Sequence, residues 1–245
     1  MIRWYLDPDY AHLDTAFGSL DAVFGLTGEL VTKDRISRVI RITRDGVRYY
    51  VKRYHRGAKG LHAYLGRPRI KAEWINLRRF EQWGIPGPHV VAYGLERNKW
   101  GIFTRGAMIT RELPDTADLA KLAQDRDARL KDPQWVRRIS LELALATRAM
   151  HGHRFTHNDL KWRNLLVDSR NALFFIDCPS GSFSLGPLLK RRIVKDLACL
   201  DKVAKFTLTR TQRLRFYLQY MGQSRLNRTD KKTIRKILRF FEGRE

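Results

Sequence analysis

Cysteine is scarce in this 245-residue chain. Cys178 and Cys199 are the whole complement, and no CxxC spacing links them. That excludes a disulfide framework and a zinc ribbon, and it points to a reducing compartment. No uninterrupted apolar run reaches membrane-spanning length. Residues 1–9 carry acids and a proline where a signal peptide needs an apolar core. A cytoplasmic protein is therefore expected, with any membrane contact peripheral. Internal repeats and low-complexity tracts are absent. Negative charge is also short: 25 Asp and Glu stand against 48 Lys and Arg, a net charge of +23. A partner rich in negative charge is implied, whether nucleic acid, an anionic membrane surface or a phosphorylated substrate. The remaining composition, 43% hydrophobic and 30% charged, is that of a globular chain with enough length for one large domain or two small ones.

The densest chemistry lies in residues 156–164, Thr-His-Asn-Asp-Leu-Lys-Trp-Arg-Asn. An apolar run, Leu165-Leu166-Val167, follows it. After a turn at residues 168–171, a second run, Leu173 to Ile176, ends at Asp177. Two short strands with a turn between them predict a hairpin. That hairpin returns Asp177 to the end where Asp159 and Asn164 sit. Two carboxylates and a carboxamide beside Lys161 suit holding Mg²⁺ on a nucleoside triphosphate and orienting a hydroxyl for attack.

Residues 1–29 mix aromatics and acids and are expected to form a packed lead-in. From Leu30 the pattern is that of strands. Residues 37–43 alternate, and Asp45-Gly46 is a two-residue hairpin signal because glycine accepts positive φ. In the return strand, residues 48–54, Val51 and Lys52 face opposite ways. A mid-strand lysine is ordinarily a solvated residue, and Lys52 taken alone reads so. Residues 53–71 form a basic linker with Arg53, Arg56, Lys59, Arg67, Arg69 and Lys71 expected to be accessible. Residues 70–83 are helical, with Ile70, Trp74, Leu77 and Phe80 as the apolar stripe and Glu73 beside it. Strands are expected at residues 89–93, 101–104 and 108–110, and patterning turns helical after Leu113-Pro114-Asp115. Asp132-Pro133 opens the next helix as N-cap and first-turn proline. A last helix, residues 231–241, carries Ile234, Ile237, Leu238 and Phe241 on one side and Lys231, Lys232, Arg235, Lys236 and Arg239 on the rest. It suits either an anionic membrane or simple packing with a solvated basic face.

This order resembles the protein-kinase-like fold: α+β, a β-rich N-lobe over residues 1–113 and a mainly helical C-lobe over residues 114–245. Residues 157–164 are similar to the kinase catalytic loop H-R-D-L-x-x-x-N, with Asn158 in place of Arg. Asp177 sits where the Asp of Asp-Phe-Gly would. Lys52 and Glu73 match the strand lysine and its helix partner. The resemblance implies that Asp159 accepts or orients the attacking hydroxyl's proton and that Lys161 neutralises the phosphoryl group in transfer. Asn164 and Asp177 would hold Mg²⁺, and Lys52, positioned by Glu73, would bind ATP phosphates. No glycine-rich loop is present. The corresponding turn holds Arg35 and Ser37 among basic and hydroxyl side chains, which are expected to bind nucleotide phosphates instead. The segment after Asp177 is short and lacks an Ala-Pro-Glu element, which argues against a docking platform for protein substrates. Asn158 argues against regulation by activation-loop phosphorylation. A helix expected to start near Lys195 would brace the loop through Asp196.

Across roughly residues 30–205 the chain is most similar to the bacterial lipopolysaccharide core kinases. That implies ATP- and Mg²⁺-dependent phosphorylation of a heptose or Kdo sugar of the lipopolysaccharide inner core, at the cytoplasmic face of the inner membrane. The expected partners are the lipid A-core acceptor and the anionic membrane surface. Protein kinase or other small-molecule kinase activity, and an inactive kinase-like protein, are the nearest alternatives. A nucleic-acid-binding reading rests on basic and aromatic residues interleaved over residues 49–56, but none of the usual modules appears. Zinc hydrolysis through His151, His153 and His157 is disfavoured because Gly152 interrupts any shared helical face. His157 is instead expected to be structural, with His151 at a helix C-terminus facing its dipole.

Overall fold

Strand β1 (Ile2–Leu6) opens the chain, followed by two short helices, α1 (Asp14–Phe17) and α2 (Leu20–Gly25). Then come β2 (Glu29–Lys33), β3 (Ser37–Arg44), β4 (Val47–His55), α3 (Arg69–Gln82), β5 (Val90–Arg97) and β6 (Phe103–Arg111). The structure is a computed structural model, and it describes residues 1–55 and 68–243. The chain divides into two compact units. The first comprises Met1–Arg79 and Pro88–Leu113, the second Phe80–Gly87 and Pro114–Glu245.

In the first unit the strands form one antiparallel sheet in the order β1-β5-β6-β4-β3-β2. The Asp45-Gly46 turn joins β3 to β4 as expected, with positive φ at both residues (49° and 74°). The backbone twist of such a turn matches that of the strands it joins. On β4, Tyr49 and Val51 point into a core built with Phe17, Leu20, Ile40 and Ile109. The lead-in is thus packed, and it also contributes an edge strand that the sequence pattern concealed. The indole N–H of Trp4 on that strand donates to the Phe17 carbonyl at 2.6 Å. Gly101 and Ile102 precede β6, and residues 103–104 and 108–110 belong to that single strand, not two. Gly106 between them is a close approach: a side chain there would meet the Gly94 carbonyl of β5 at 2.9 Å.

Arg53 departs from the expected accessible linker. It lies on β4, 7% exposed, and donates to the Leu26 carbonyl at 2.6 Å. Burial lowers its pKa. Arg69 and Lys71 belong to the start of α3. Arg56, Lys59 and Arg67 fall outside the described residues. Of the aromatic residues that prompted a nucleic-acid reading, Tyr49 and Tyr54 are buried and Tyr50 is half-buried.

The second unit contains β7 (Ala117–Asp118), α4 (Leu119–Gln124), α5 (Pro133–Gly152), β8 (Phe155–Thr156), β9 (Leu165–Val167), β10 (Leu173–Phe175) and β11 (Ser182–Phe183). Helices α6 (Gly186–Thr207), α7 (Arg210–Met221) and α8 (Arg228–Leu238) complete it. Helix α5 starts as expected: the Asp132 carboxylate accepts from the Gln134 N–H at 2.8 Å, with Pro133 in the first turn. The strands β9 and β10 form the expected hairpin, extended by β7. Helix α6 begins nine residues before Lys195, at Gly186. Pro187 occupies the first turn, where its missing N–H has no helical partner to lose. On α8, Ile234 and Ile237 pack against a core of Leu197, Ala198, Tyr217 and Tyr220. Lys231, Lys232, Arg235, Lys236 and Arg239 stay exposed. Helices α5 to α8 line a partly open apolar pocket of about 570 Å³, with Leu143, Trp162, Leu200 and Ile237 in its wall. Among the described residues, no helix is long and apolar enough to cross a membrane.

Candidate active site

In the first unit, strand alternation turns Lys52 away from the face that buries Val51. Its Nζ lies 2.8 Å from Glu73 Oε1 on α3, with the two side chains 18% and 4% exposed. A carboxylate so little hydrated is stabilised by the cation beside it, and it fixes where the amine points. The turn between β2 and β3 is organised by Asp34. Its Oδ1 accepts from the Ile36 and Ser37 main-chain N–H groups at 2.7 Å each, and its Oδ2 accepts from the Ser37 hydroxyl at 2.8 Å. The Ile36 bond, then the Ser37 hydroxyl, lower the Asp34 pKa. The Ser37 hydroxyl is therefore tied to a carboxylate, while Arg35 is exposed on the turn.

In the second unit, the loop after β8 is held by one buried carboxylate. Asp196 on α6 is fully buried; its Oδ2 accepts from the His157 N–H and its Oδ1 from the Asn158 N–H, both at 2.8 Å. One helical turn further, the Leu200 carbonyl accepts from Trp162 Nε1 at 2.9 Å. Positions four apart lie on one helix face, so a single face of α6 grips the loop at two places. Asp196 is the expected brace. His151 lies in the last turn of α5, as expected. It is buried, with Nε2 3.3 Å from Asp196 Oδ2 and Nδ1 2.8 Å from the Tyr220 hydroxyl. His153 stacks on Trp83 at 4.4 Å and His157 lies against Phe80. The three histidines thus have three separate environments.

Asp159 faces outward from this braced loop. Its Oδ1 lies 2.6 Å from Lys161 Nζ and its Oδ2 3.7 Å from the Arg163 guanidinium. Asn164 Nδ2 donates to the Asp159 carbonyl at 2.9 Å. That bond fixes the amide orientation and presents Asn164 Oδ1 on the other side. The Ile176 N–H donates to the Asn164 carbonyl at 3.0 Å, so the hairpin closes where Asp177 begins. Asn158 and Asp177 both adopt left-handed backbone conformations (φ 63° and 56°). Such conformations cost about 1–3 kcal/mol and persist where surrounding contacts impose them. Asn158 also ties the loop to the segment beyond Asp177, donating from Nδ2 to the Ser180 carbonyl at 2.9 Å and to Ser182 Oγ at 3.1 Å.

The His157 ring is fully enclosed, and desolvation lowers its pKa. Asp196, Asp159 and Asp177 each pull in the opposite direction. The Ile176–Asn164 main-chain bond brings Asp177 to the end of the loop that carries Asp159, Lys161 and Asn164, and Lys52 and Glu73 form a separate pair in the first unit. Sequence reasoning missed His151 and the Asn158 tether. The signal for His151 was present: its apolar neighbours on α5 placed it near the buried face.

Comparison with known proteins identifies the family and the fold. The pattern of the "Lipopolysaccharide kinase (Kdo/WaaP) family" matches residues 26–220. A 3-deoxy-D-manno-octulosonic acid kinase of Haemophilus influenzae is 26% identical over 132 residues, which is 50% of this chain and 51% of that protein. The chain thus spans about half the length of this curated relative. The solved structure "WaaP in complex with acyl carrier protein" superposes with a TM-score of 0.78 at 25% identity, covering 98% of each chain. The fold is α+β and protein-kinase-like, with a β-rich first unit and a mainly helical second.

Proposed function

The chain belongs to the lipopolysaccharide kinase (Kdo/WaaP) family, and from that premise we propose that it transfers a phosphoryl group from ATP to a heptose or Kdo hydroxyl of the lipopolysaccharide inner core. The observation that carries this reading is the braced loop presenting Asp159 in contact with Lys161. A carboxylate at hydrogen-bond reach of an acceptor hydroxyl can orient it and take its proton. The Lys161 ammonium then neutralises charge on the transferring group's oxygens. Lys52, positioned by Glu73, binds the nucleotide phosphates. Arg35 adds a cation from the β2–β3 turn, where Ser37 contributes through the turn's shape.

The oxygen donors of Asn164 and Asp177 fit a hard cation. The Asn164 amide nitrogen is held by the Asp159 carbonyl, which leaves its oxygen for a ligand. These two residues would hold Mg²⁺, which when bound neutralises and orients the phosphate oxygens. The site of action is the cytoplasmic face of the inner membrane.

The test is ATP consumption with an inner-core acceptor. Asp159→Asn and Asp177→Asn should each lower turnover by about 10²–10⁴-fold while circular dichroism stays unchanged. Wild-type turnover in Asp159→Asn would overturn the mechanism. Acceptors ending in Kdo and in heptose, compared side by side, identify the sugar. Acyl carrier protein is proposed as a second partner, supported by the solved complex of WaaP and by an apolar pocket of about 570 Å³, a volume suited to a small apolar ligand. Co-purification with acyl-loaded and unloaded carrier tests it.

A further inference from the structure

We propose that residues 178–195 form the surface on which this protein meets an anionic bilayer, so that a lipid-anchored acceptor is presented beside Asp159. The proposal rests on the lipopolysaccharide reading of the site. It stands on three features of one segment.

First, the segment is built against the catalytic loop. Strand β11 pairs with β8 in the register Ser182 to Thr156 and Phe183 to Phe155, three residues before Asp159. The Asn158 tether reaches Ser180 and Ser182. From the far side, Arg192 donates to Ser182 Oγ at 2.5 Å and to Ser184 Oγ at 2.8 Å. Second, this anchored segment exposes large apolar side chains: Phe183 at 50%, Leu185 at 66% and Leu188 at 50%. Phe183 packs against Phe155 and Trp83 and is still half exposed. Exposed apolar residues also group at Met1, Ile2 and Tyr5, at Leu30 and Val31, and at Leu141 and Leu145, but there carboxylates stand beside or among them, at Asp7, Glu29 and Glu142. Third, residues 178–195 contain no Asp or Glu and carry Lys190, Arg191, Arg192 and Lys195. Lys190 and Arg191 are exposed, and exposed Arg154 adjoins the segment at Ser184, its carbonyl accepting from the Ser184 N–H.

Apolar side chains among cations, with no carboxylate in the stretch, suit the headgroup boundary of an anionic membrane: the apolar groups insert and the cations meet lipid phosphates. Helix α8 has less of this combination. Its Ile234 and Ile237 are packed in the core, Leu238 at its end is exposed among the cations, and its first turn carries a carboxylate, Asp230. Membrane contact is therefore assigned to the segment after Asp177 and not to the C-terminal helix.

The experiment uses the full chain and sedimentation with two kinds of vesicle, phosphatidylcholine alone and phosphatidylcholine with phosphatidylglycerol. Wild type should pellet with the anionic vesicles only. Leu185→Ser with Leu188→Ser, and separately Lys190→Glu with Arg191→Glu, should each weaken that binding on the order of tenfold or more. Lys231→Glu with Lys232→Glu and Arg235→Glu on α8 should weaken it less. In the kinase assay, the Leu185/Leu188 variant should retain turnover of a delipidated, water-soluble acceptor and lose it on vesicle-embedded acceptor. The proposal is overturned if wild type binds no vesicle, whichever protein then occupies the patch. It is also overturned if the segment variants bind as wild type, if the α8 variant alone abolishes binding, or if soluble and embedded turnover fall together. Vesicle binding is read without any acceptor, so a failure of the sugar-kinase reading would be visible separately.

Discussion

Asp196→Asn is the sharpest test of how the second unit holds its site. The substitution keeps size and shape but turns one carboxylate oxygen into an NH₂ group. In the native protein the two oxygens accept from the main-chain N–H groups of His157 and Asn158 at 2.8 Å each, in a place with no exposure to water. Whichever way the amide settles, one of those N–H groups faces a donor. A lost hydrogen bond to a charged group is worth about 1.5–3 kcal/mol, and a buried N–H left unsatisfied costs about 1–3 kcal/mol. These overlap, so about 2–4 kcal/mol is expected for the variant. For a chain of this size, each kcal/mol moves Tm by about 2–4 °C. The melting temperature should therefore fall by roughly 4–16 °C. Catalysis should suffer beyond stability, because a displacement of about 1 Å in a positioned group is enough for about a hundredfold loss. Thermal melting by circular dichroism, and phosphoryl transfer well below the new Tm, measure the two effects. Limited proteolysis should also show earlier cleavage in the segment after Asp177, which Asn158 tethers. Wild-type melting together with wild-type turnover in Asp196→Asn would refute the bracing argument.

Two further outcomes follow from the same structure. His157 is enclosed and its pKa is lowered from the ordinary 6.5 by desolvation. The unfolded chain therefore takes up a proton that the folded one resists. Its contribution to stability is full above about pH 6.5 and is lost as pH falls towards the folded value. Denaturant titrations from pH 8 to pH 5 should show this decline, and His157→Leu should flatten part of it; an identical slope in the variant would count against it. In the β9–β10 turn, Asn171 has φ 65° and its Oδ1 accepts from the Trp135 indole at 2.7 Å. Asn171→Gly keeps the backbone and should cost about 1–3 kcal/mol for the orphaned indole, while Asn171→Ala should cost about 1–2 kcal/mol more for the left-handed conformation. Equal urea midpoints for the two variants would show that backbone strain plays no part.

Much of the fold was legible because its signals are local. The Asp45-Gly46 turn, the Asp132-Pro133 cap and the β9–β10 hairpin each follow from residues a few positions apart. The group around Asp159 was legible for the same reason: a loop and a hairpin bring Asp159, Asn164 and Asp177 together within 19 residues of chain. Lys52 and Glu73 needed the periodicities of a strand and a helix as well, and both periodicities were clear. What misled the reading were residues with two meanings. Gly106 reads as a break but is a close approach between strands. Pro187 lies in the first turn of α6, a helix expected to start only near Lys195. Arg53 reads as solvated because of its charge, yet its guanidinium finds the Leu26 carbonyl inside the unit.

The sequence by itself determined the chemistry: which carboxylates, amide and lysines stand at what spacing, and an excess of cations that calls for an anionic partner. The tertiary structure alone decided how those groups are held and which surfaces remain open. Asp196 meets the loop from 38 residues away in sequence, along with His151 and Tyr220. No local pattern encodes such a meeting, because burial and hydrogen bonding depend on what packs in three dimensions. The same holds for the two basic, apolar segments. On α8 the isoleucines turn inward to a core that exists only once the helices assemble. After Asp177, the backbone is pinned to β8 and Arg192, and Leu185 and Leu188 are left facing water.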